Sequence, residues 1–361
     1  MSKFLVGDPV PYFQCSSTVN PRFNFNTIGG RYVVLSFFGS ATAKNSVSFL
    51  NFVYQKIRFK FDDNYICFFG VSVDPNDRTL NRVQDIIPGI RFFWDFDLQV
   101  STLFEAAERR EHNIIYRPFS LVLDPNLRVI ANISMDNIEH HNSTIERIIN
   151  TLPPIDNYAE VPLSAPILIV PRVFDREFCH QLIHLYNEKG GGESGFMREE
   201  NGKTVGKIDN SFKRRQDCTI ESEEIKTYFR ACLVRRLVPE IKKAFQFDVT
   251  RIERYIVACY DSESGGFFRP HRDNTTKGTA HRRFAVTINL NSEDYEGGNL
   301  RFPEFGTKTY RAPTGGAVVF SCSLLHEATP VTKGVRYATL PFLYDEEGAK
   351  IREQNQQFLV K

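Results

Sequence analysis

The chain has no Cys-x-x-Cys pair. Its seven cysteines (Cys15, Cys67, Cys179, Cys218, Cys232, Cys259 and Cys322) are scattered and odd in number. That pattern argues against a disulfide framework and a structural zinc site, and it fits a reduced, cytoplasmic protein. No stretch approaches the roughly 20 apolar residues of a membrane span. The opening Met1-Ser2-Lys3-Phe4-Leu5-Val6-Gly7-Asp8 lacks the apolar core and cleavage pattern of a secretory signal. Charge of neither sign dominates, and a net of +2 gives no field strong enough to gather nucleic acid. Internal repeats and low-complexity tracts are missing as well. What is there is an ordinary globular composition, 42% hydrophobic and 24% charged. At 361 residues the chain is long enough for two domains of about 100–200 residues each.

Residues 1–150 read as alternating strands and helices. The apolar run Tyr32-Val33-Val34-Leu35-Ser36-Phe37-Phe38 has the character of a strand buried on both faces. A helix over 44–59, a strand over 66–73, a turn at Asp74-Pro75-Asn76 and a helix over 78–87 follow. Strands are expected over 90–94, 120–123 and 129–132. This βαβ rhythm predicts an α/β domain with a parallel or mixed sheet. Residues 151–164, with Pro153, Pro154 and Pro162, read as a stiff, extended linker.

Residues 165–361 are read as a second, mainly β domain. A strand opens it over 165–171, and Asp175 is placed to cap a helix over 176–187. His180 and His184 sit i, i+4 on that helix, but no third ligand is near and they read as a packed or solvated face. Gly190-Gly191-Gly192-Glu193-Ser194-Gly195 reads as a mobile loop, and Lys213-Arg214-Arg215 as a solvated charge run. One or two bracing helices are expected over 221–245, then a strand over 251–260.

The chemistry concentrates between Tyr255 and Arg336. Phe267-Phe268-Arg269-Pro270-His271-Arg272-Asp273 carries a His-x-Asp pair, and Ser323-Leu324-Leu325-His326-Glu327 a second histidine. Side chains at i and i+2 of a strand point the same way, so His271 and Asp273 can reach one metal. Two imidazoles and one carboxylate suit a non-haem Fe(II) centre with open coordination positions. Alone, that pattern occurs by chance in many chains. Arg336 follows His326 by ten positions and can clamp a carboxylate bidentately. Gly297-Gly298-Asn299-Leu300-Arg301-Phe302-Pro303 precedes the apolar run Gly315-Gly316-Ala317-Val318-Val319-Phe320. His281, between the ligands and beside Arg282 and Arg283, reads as a surface or lid residue rather than a ligand.

Together these motifs, over roughly 165–345, resemble the 2-oxoglutarate/Fe(II) dioxygenases and, within them, the prolyl 4-hydroxylase-like branch. The resemblance implies a double-stranded β-helix (jelly-roll). Fe(II) would sit on His271, Asp273 and His326, and Arg336 would pair with the distal carboxylate of 2-oxoglutarate. Tyr260 matches a tyrosine that often touches the cosubstrate, although it also reads as a barrel-wall aromatic, and Asn289 matches a polar cosubstrate contact. Collagen-type prolyl hydroxylases usually have Lys where Arg336 stands.

The first half resembles a peroxiredoxin, a thioredoxin-like fold. Gly7-Asp8-Pro9-Val10-Pro11-Tyr12-Phe13, the 29–38 stretch and Arg117 before Phe119-Ser120-Leu121-Val122-Leu123-Asp124 carry that likeness. The decisive position differs. Thr42 aligns, but the family's Pro slot holds Phe38 and its peroxidatic Cys slot holds Asn45. An amide cannot be the thiolate nucleophile that peroxide reduction needs.

The resemblances imply an oxygenase that hydroxylates a C–H bond, consumes 2-oxoglutarate and O2, releases succinate and CO2, and uses ascorbate to keep iron ferrous. A prolyl residue of a peptide or protein is the leading substrate, and a free amino acid or other small molecule the next. Two other readings stand beside it: a thiol peroxidase or redox adaptor centred on residues 1–150, and a pseudo-enzyme that only binds partners.

Overall fold

The computed structural model describes residues 4–111 and 113–359. Met1-Ser2-Lys3, part of the stretch read for a signal sequence, lie outside them. Contacts divide the chain into two units, Met1–Ser164 with Pro303–Thr307, and Ala165–Phe302 with Lys308–Lys361. The proline-rich stretch expected to be an extended linker thus counts with the first unit and includes a helical turn, Ile155–Asn157.

The first unit is built on a seven-stranded sheet in the order Phe23–Asn24, Gln14–Ser17, Ile90–Trp94, Ile66–Ser72, Tyr32–Gly39, Phe119–Leu123, Val129–Ser134. The central three are parallel, and Phe119–Leu123 runs antiparallel to Tyr32–Gly39. Tyr32–Gly39 and Ile66–Ser72 are buried at every position because both faces are covered. Val34, Phe38, Phe68 and Phe92 meet Phe49 and Val53 of helix Lys44–Gln55 and Ile145 and Ile149 of helix Ile138–Thr151. Val33, Leu35, Phe69 and Phe93 face the other way, onto Phe25, Val100 and Phe104. This is a thioredoxin-like arrangement. The helix expected over 78–87 is instead the short Pro75–Thr79. Asp74 caps it by accepting from Asn76 N at 2.9 Å, and Asn81 adopts φ +50°, which ends any continuation.

In the second unit the main sheet runs Leu168–Val170, Ala317–Ser321, Phe284–Asn289, Val335–Thr339, Ile256–Asp261, Gln216–Thr219, Gly192–Glu193. A smaller sheet runs Lys213–Arg214, Phe267–His271, His326–Ala328, Leu300–Arg301, Thr309–Tyr310. Alternation sorts the main sheet's side chains. Val257, Cys259, Val286 and Ile288 pack outward under helices Arg176–Lys189, Glu223–Cys232 and Val238–Phe245. Ile256, Ala258, Tyr260 and Ala338 turn inward. This is the double-stranded β-helix with bracing helices. Asp175 caps the first helix as expected, accepting from Phe178 N at 2.9 Å. The strand expected over 251–260 is broken at Arg254, whose φ is +71°. Among the described residues no helix is long and apolar enough to cross a membrane.

One buried titratable group sits between helix and sheet in the first unit. His141 is fully buried, with Nε2 3.0 Å from Ser120 Oγ, which in turn donates to Ser36 Oγ at 2.9 Å. Burial lowers the imidazole's pKa. The unfolded chain binds a proton near pH 6.5, whereas folded His141 binds it only at lower pH. Its contribution is therefore fully present above about pH 6.5 and is lost as pH falls toward the depressed folded value. Urea unfolding followed through Trp94, the chain's single tryptophan, is expected to show stability falling from pH 7 to pH 5. His141→Gln flattens that dependence.

Candidate active site

His271 closes the strand Phe267–His271, and His326 opens its antiparallel partner His326–Ala328. The two histidines are direct cross-strand partners, which places their rings 4.3 Å apart. His271 Nδ1 lies 2.7 Å from Arg269 O, and His326 Nδ1 lies 3.0 Å from Leu324 O. A carbonyl only accepts, so each Nδ1 carries the proton and each Nε2 is left with a lone pair. Both lone pairs face Asp273: His271 Nε2 is 3.5 Å from Oδ1, and His326 Nε2 is 3.3 Å from Oδ2. One ligand atom from each residue falls within 4.8 Å of the others. Three electron-pair donors converge with no donor hydrogen between them, which is the chemistry of a cation site.

Asp273 does not reach the centre as part of a strand, because the strand ends at His271. It lies in the following turn, tied by its N–H to Cys322 O at 3.0 Å. Burial, then the neighbouring His326, holds the His271 pKa down to about 4. Phe268 stacks on His271 at 3.5 Å, and Phe320 lies 4.5 Å from His326, so apolar rings back both imidazoles.

Arg336, Tyr260 and Asn289 come from three neighbouring strands. Tyr260 and Arg336 are cross-strand partners, and Asn289 pairs with Ala338. Arg336 is 2% exposed, and its Nε and Nη1 have no hydrogen-bond partner among the described residues. Its guanidinium stands 4.9 Å from the Tyr260 ring centroid. Asn289 donates through Nδ2 to Ala312 O at 2.9 Å, while its Oδ1 has no partner among the described residues. A buried guanidinium left this way is costly unless an anion meets it. All six residues singled out in the sequence therefore lie within one unit. His271, Asp273 and His326 form one cluster, and Arg336 and Tyr260 pair beside Asn289's strand.

Other residues escaped sequence reasoning. The run Lys213-Arg214-Arg215 is not a solvated surface, because Lys213 and Arg215 are buried. Arg215 donates two parallel hydrogen bonds to Asp217 (Nε to Oδ1 2.7 Å, Nη2 to Oδ2 2.6 Å) and points Nη1 at Tyr260 OH, 3.4 Å away. Lys213 donates to Ser194 Oγ at 2.7 Å and to Gly195 O, and burial followed by the Arg215 charge pulls its pKa down to about 6. These bonds, with the pairing of Gly192–Glu193 to Gln216 and Asp217, hold the glycine-rich segment expected to be mobile. The signal was present in the spacing, since Lys213, Arg215 and Asp217 alternate.

His281 is likewise no surface residue. It is 2% exposed and lies 2.5 Å from Glu253, which Arg282 also binds at 2.7 Å. Burial opposes the Glu253 charge, but His281 and Arg282 outweigh it and lower its pKa. His184 pairs with Glu188 at 3.3 Å, and neither His180 nor His184 belongs to the metal-type cluster.

Residues 255–344 match the sequence model of the 2OG-Fe(II) oxygenase superfamily. A PKHD-type hydroxylase of Synechococcus sp. (strain JA-2-3B'a(2-13)) is 30% identical over 98 residues, 26% of this chain and 43% of that protein. One from Pseudomonas fluorescens (strain Pf-5) is 33% identical over 113 residues, 29% of this chain and 47% of that protein. The chain thus spans about half the length of the curated relatives it matches. Among solved structures, a Trichoplax adhaerens prolyl hydroxylase in complex with a hypoxia-inducible-factor peptide gives a TM-score of 0.42 at 18% identity, covering 59% of this chain and 94% of that one. The peroxidoxin BcpB of Mycobacterium tuberculosis gives 0.36 at 16% identity, covering 42% and 99%. The match over residues 255–344 takes in His271, Asp273, His326 and Arg336, so this part of the chain is similar to the 2OG-Fe(II) oxygenase superfamily.

Proposed function

We propose that the second unit is an Fe(II)- and 2-oxoglutarate-dependent dioxygenase that hydroxylates a C–H bond. A prolyl residue of a peptide or protein is the leading substrate, on the resemblance to the prolyl 4-hydroxylase-like branch, and a free amino acid or other small molecule is next. One observation carries the reading: two imidazoles fixed with their Nε2 lone pairs toward one ionised carboxylate.

Fe(II) bound there supplies the oxidising chemistry, coupling decarboxylation of 2-oxoglutarate by O2 to succinate and CO2 with insertion of the second oxygen atom into C–H. The chain's own residues hold, orient and exclude. His271 and His326 offer neutral Nε2, and Asp273 offers the anion that offsets part of the metal's charge. Arg336 pairs with the distal carboxylate of the oxo acid, and Tyr260 and Asn289 orient it. Arg215 directs Nη1 at the Tyr260 hydroxyl. Phe268, Phe302 and Phe320 keep water from the centre.

Ascorbate serves as the reductant that keeps the iron ferrous. The seven cysteines, all free and buried, fit a reducing, cytoplasmic setting. We assign no thiol chemistry to the first unit, which is left to dock partners or substrate. In the Cys slot, Asn45 donates its amide to Met135 O at 2.8 Å, and Arg117 is engaged by Glu108. Burial pushes the Cys15 and Cys67 thiols up to about 12, so almost no thiolate exists at neutral pH.

Purified protein given Fe(II), 2-oxoglutarate, ascorbate and O2 is expected to release succinate, and His326→Ala to release none. Failure of the wild type to bind 2-oxoglutarate with Fe(II) under anaerobic conditions sinks the metal-site reading. Arg336→Gln removes a charge-assisted contact worth about 1.5–3 kcal/mol, so the KM for 2-oxoglutarate rises by at least about tenfold. A peroxide-consumption assay without added iron is expected to show no turnover, and turnover there would favour the redox-adaptor reading.

A further inference from the structure

We infer that Tyr295 is a second anchor for the distal carboxylate of the oxo acid, a binding residue that acts beside Arg336. The inference rests on the reading of the Arg336 pocket as the cosubstrate site.

Tyr295 follows the strand Phe284–Asn289, outside the ladder, and is only 4% exposed. Its hydroxyl has no hydrogen-bond partner among the described residues. An unmet hydroxyl in such a place is destabilising, and buried tyrosines ordinarily find a partner. Arg336 Nε and Nη1 and Asn289 Oδ1 share that condition within the same unit. These are donors, apart from the Asn289 oxygen, which suits a guanidinium. What they lack in common is a small anion.

Tyr295 and Arg336 flank one residue that has no side chain. A Cβ placed on Gly298 would lie 3.3 Å from Tyr295 Cε2, 3.1 Å from Arg336 Cδ and 2.9 Å from Val331 Cγ2. The phenol edge and the arginine stem therefore converge, and any larger residue at 298 would crowd both. The ring is also held in place. Arg311 sets its guanidinium 4.1 Å from the ring centroid. It donates to Ser292 O and Tyr295 O, each at 2.9 Å, to Gly297 O at 2.5 Å, and to Asn299 Oδ1 at 2.7 Å. A ring clamped so firmly, with its one polar atom unused, is preorganised to bind. A carboxylate has about four lone-pair sites. A bidentate guanidinium takes two and leaves room for a hydroxyl donor.

Tyr295→Phe removes one oxygen and keeps the ring. Binding to the full chain loaded anaerobically with Fe(II) is measured by calorimetry for 2-oxoglutarate and for 2-oxobutanoate, which lacks the distal carboxylate. The expected result is about tenfold weaker binding of 2-oxoglutarate and unchanged binding of 2-oxobutanoate. The metal-free variant should melt no lower than the wild type, because an unmet hydroxyl has gone. Tyr295→Phe combined with Arg336→Gln should lose less than the two single losses together, as contacts to one carboxylate are coupled. Equal weakening toward both oxo acids, or none toward either, overturns the inference while the wild type's binding of 2-oxoglutarate leaves the oxygenase reading intact. A wild type that binds no 2-oxoglutarate overturns both.

Discussion

The centre depends on a constraint that each histidine imposes on itself. The carbonyl two residues upstream accepts a hydrogen bond from Nδ1–H, that of Arg269 for His271 and that of Leu324 for His326. That bond fixes the tautomer and the ring plane at once. Because the two histidines are cross-strand partners, fixing each ring also fixes the angle between the Nε2 lone pairs. Asp273 then needs only a turn and one backbone bond to bring its carboxylate between them. The result is an arrangement of mutually repelling lone pairs that a cation relieves.

Around that centre the barrel interior departs from an apolar core in a regular way. The wall carries small residues, Ala258, Ala328 and Ala338, where a larger side chain would fill the space. Buried charges line the rest, and most are matched. Arg215 pairs with Asp217, and Arg282 and His281 share Glu253. Such pairs add little net stability but are costly to break, so they hold geometry more than they add energy. Arg336 is matched least: its charge is buried against an aromatic ring with two donors unused. Two open donors on one buried guanidinium are what the proposed cosubstrate carboxylate would meet.

The first unit keeps the two-faced sheet of its fold class while lacking the nucleophile. At the decisive slot the amide of Asn45 is spent on a backbone carbonyl. The fold's stability lies in stacked phenylalanines such as Phe69 and Phe93, 4.9 Å apart, and not in the slot. The fold therefore does not need the chemistry.

Much was legible from residues alone. Apolar runs buried on both faces mark the first sheet, and the period-two sorting of Val257, Ala258, Cys259 and Tyr260 marks the barrel wall. His271, Asp273, His326 and Arg336 could be singled out because ligand chemistry is carried by residue type and offset. Other features were beyond reach. A charge run such as Lys213-Arg214-Arg215 looks solvated until a distant strand buries it, and His281 looks exposed until Glu253, 28 positions away, meets it. Tyr295 gave no sign, since a hydroxyl's lack of a partner exists only once the chain has closed around it. The sequence by itself determined which donors and charges the chain owns and how strands sort them. Tertiary structure decided which of those groups are paired and which are left open, because burial and partnership arise from contacts between residues far apart in the chain.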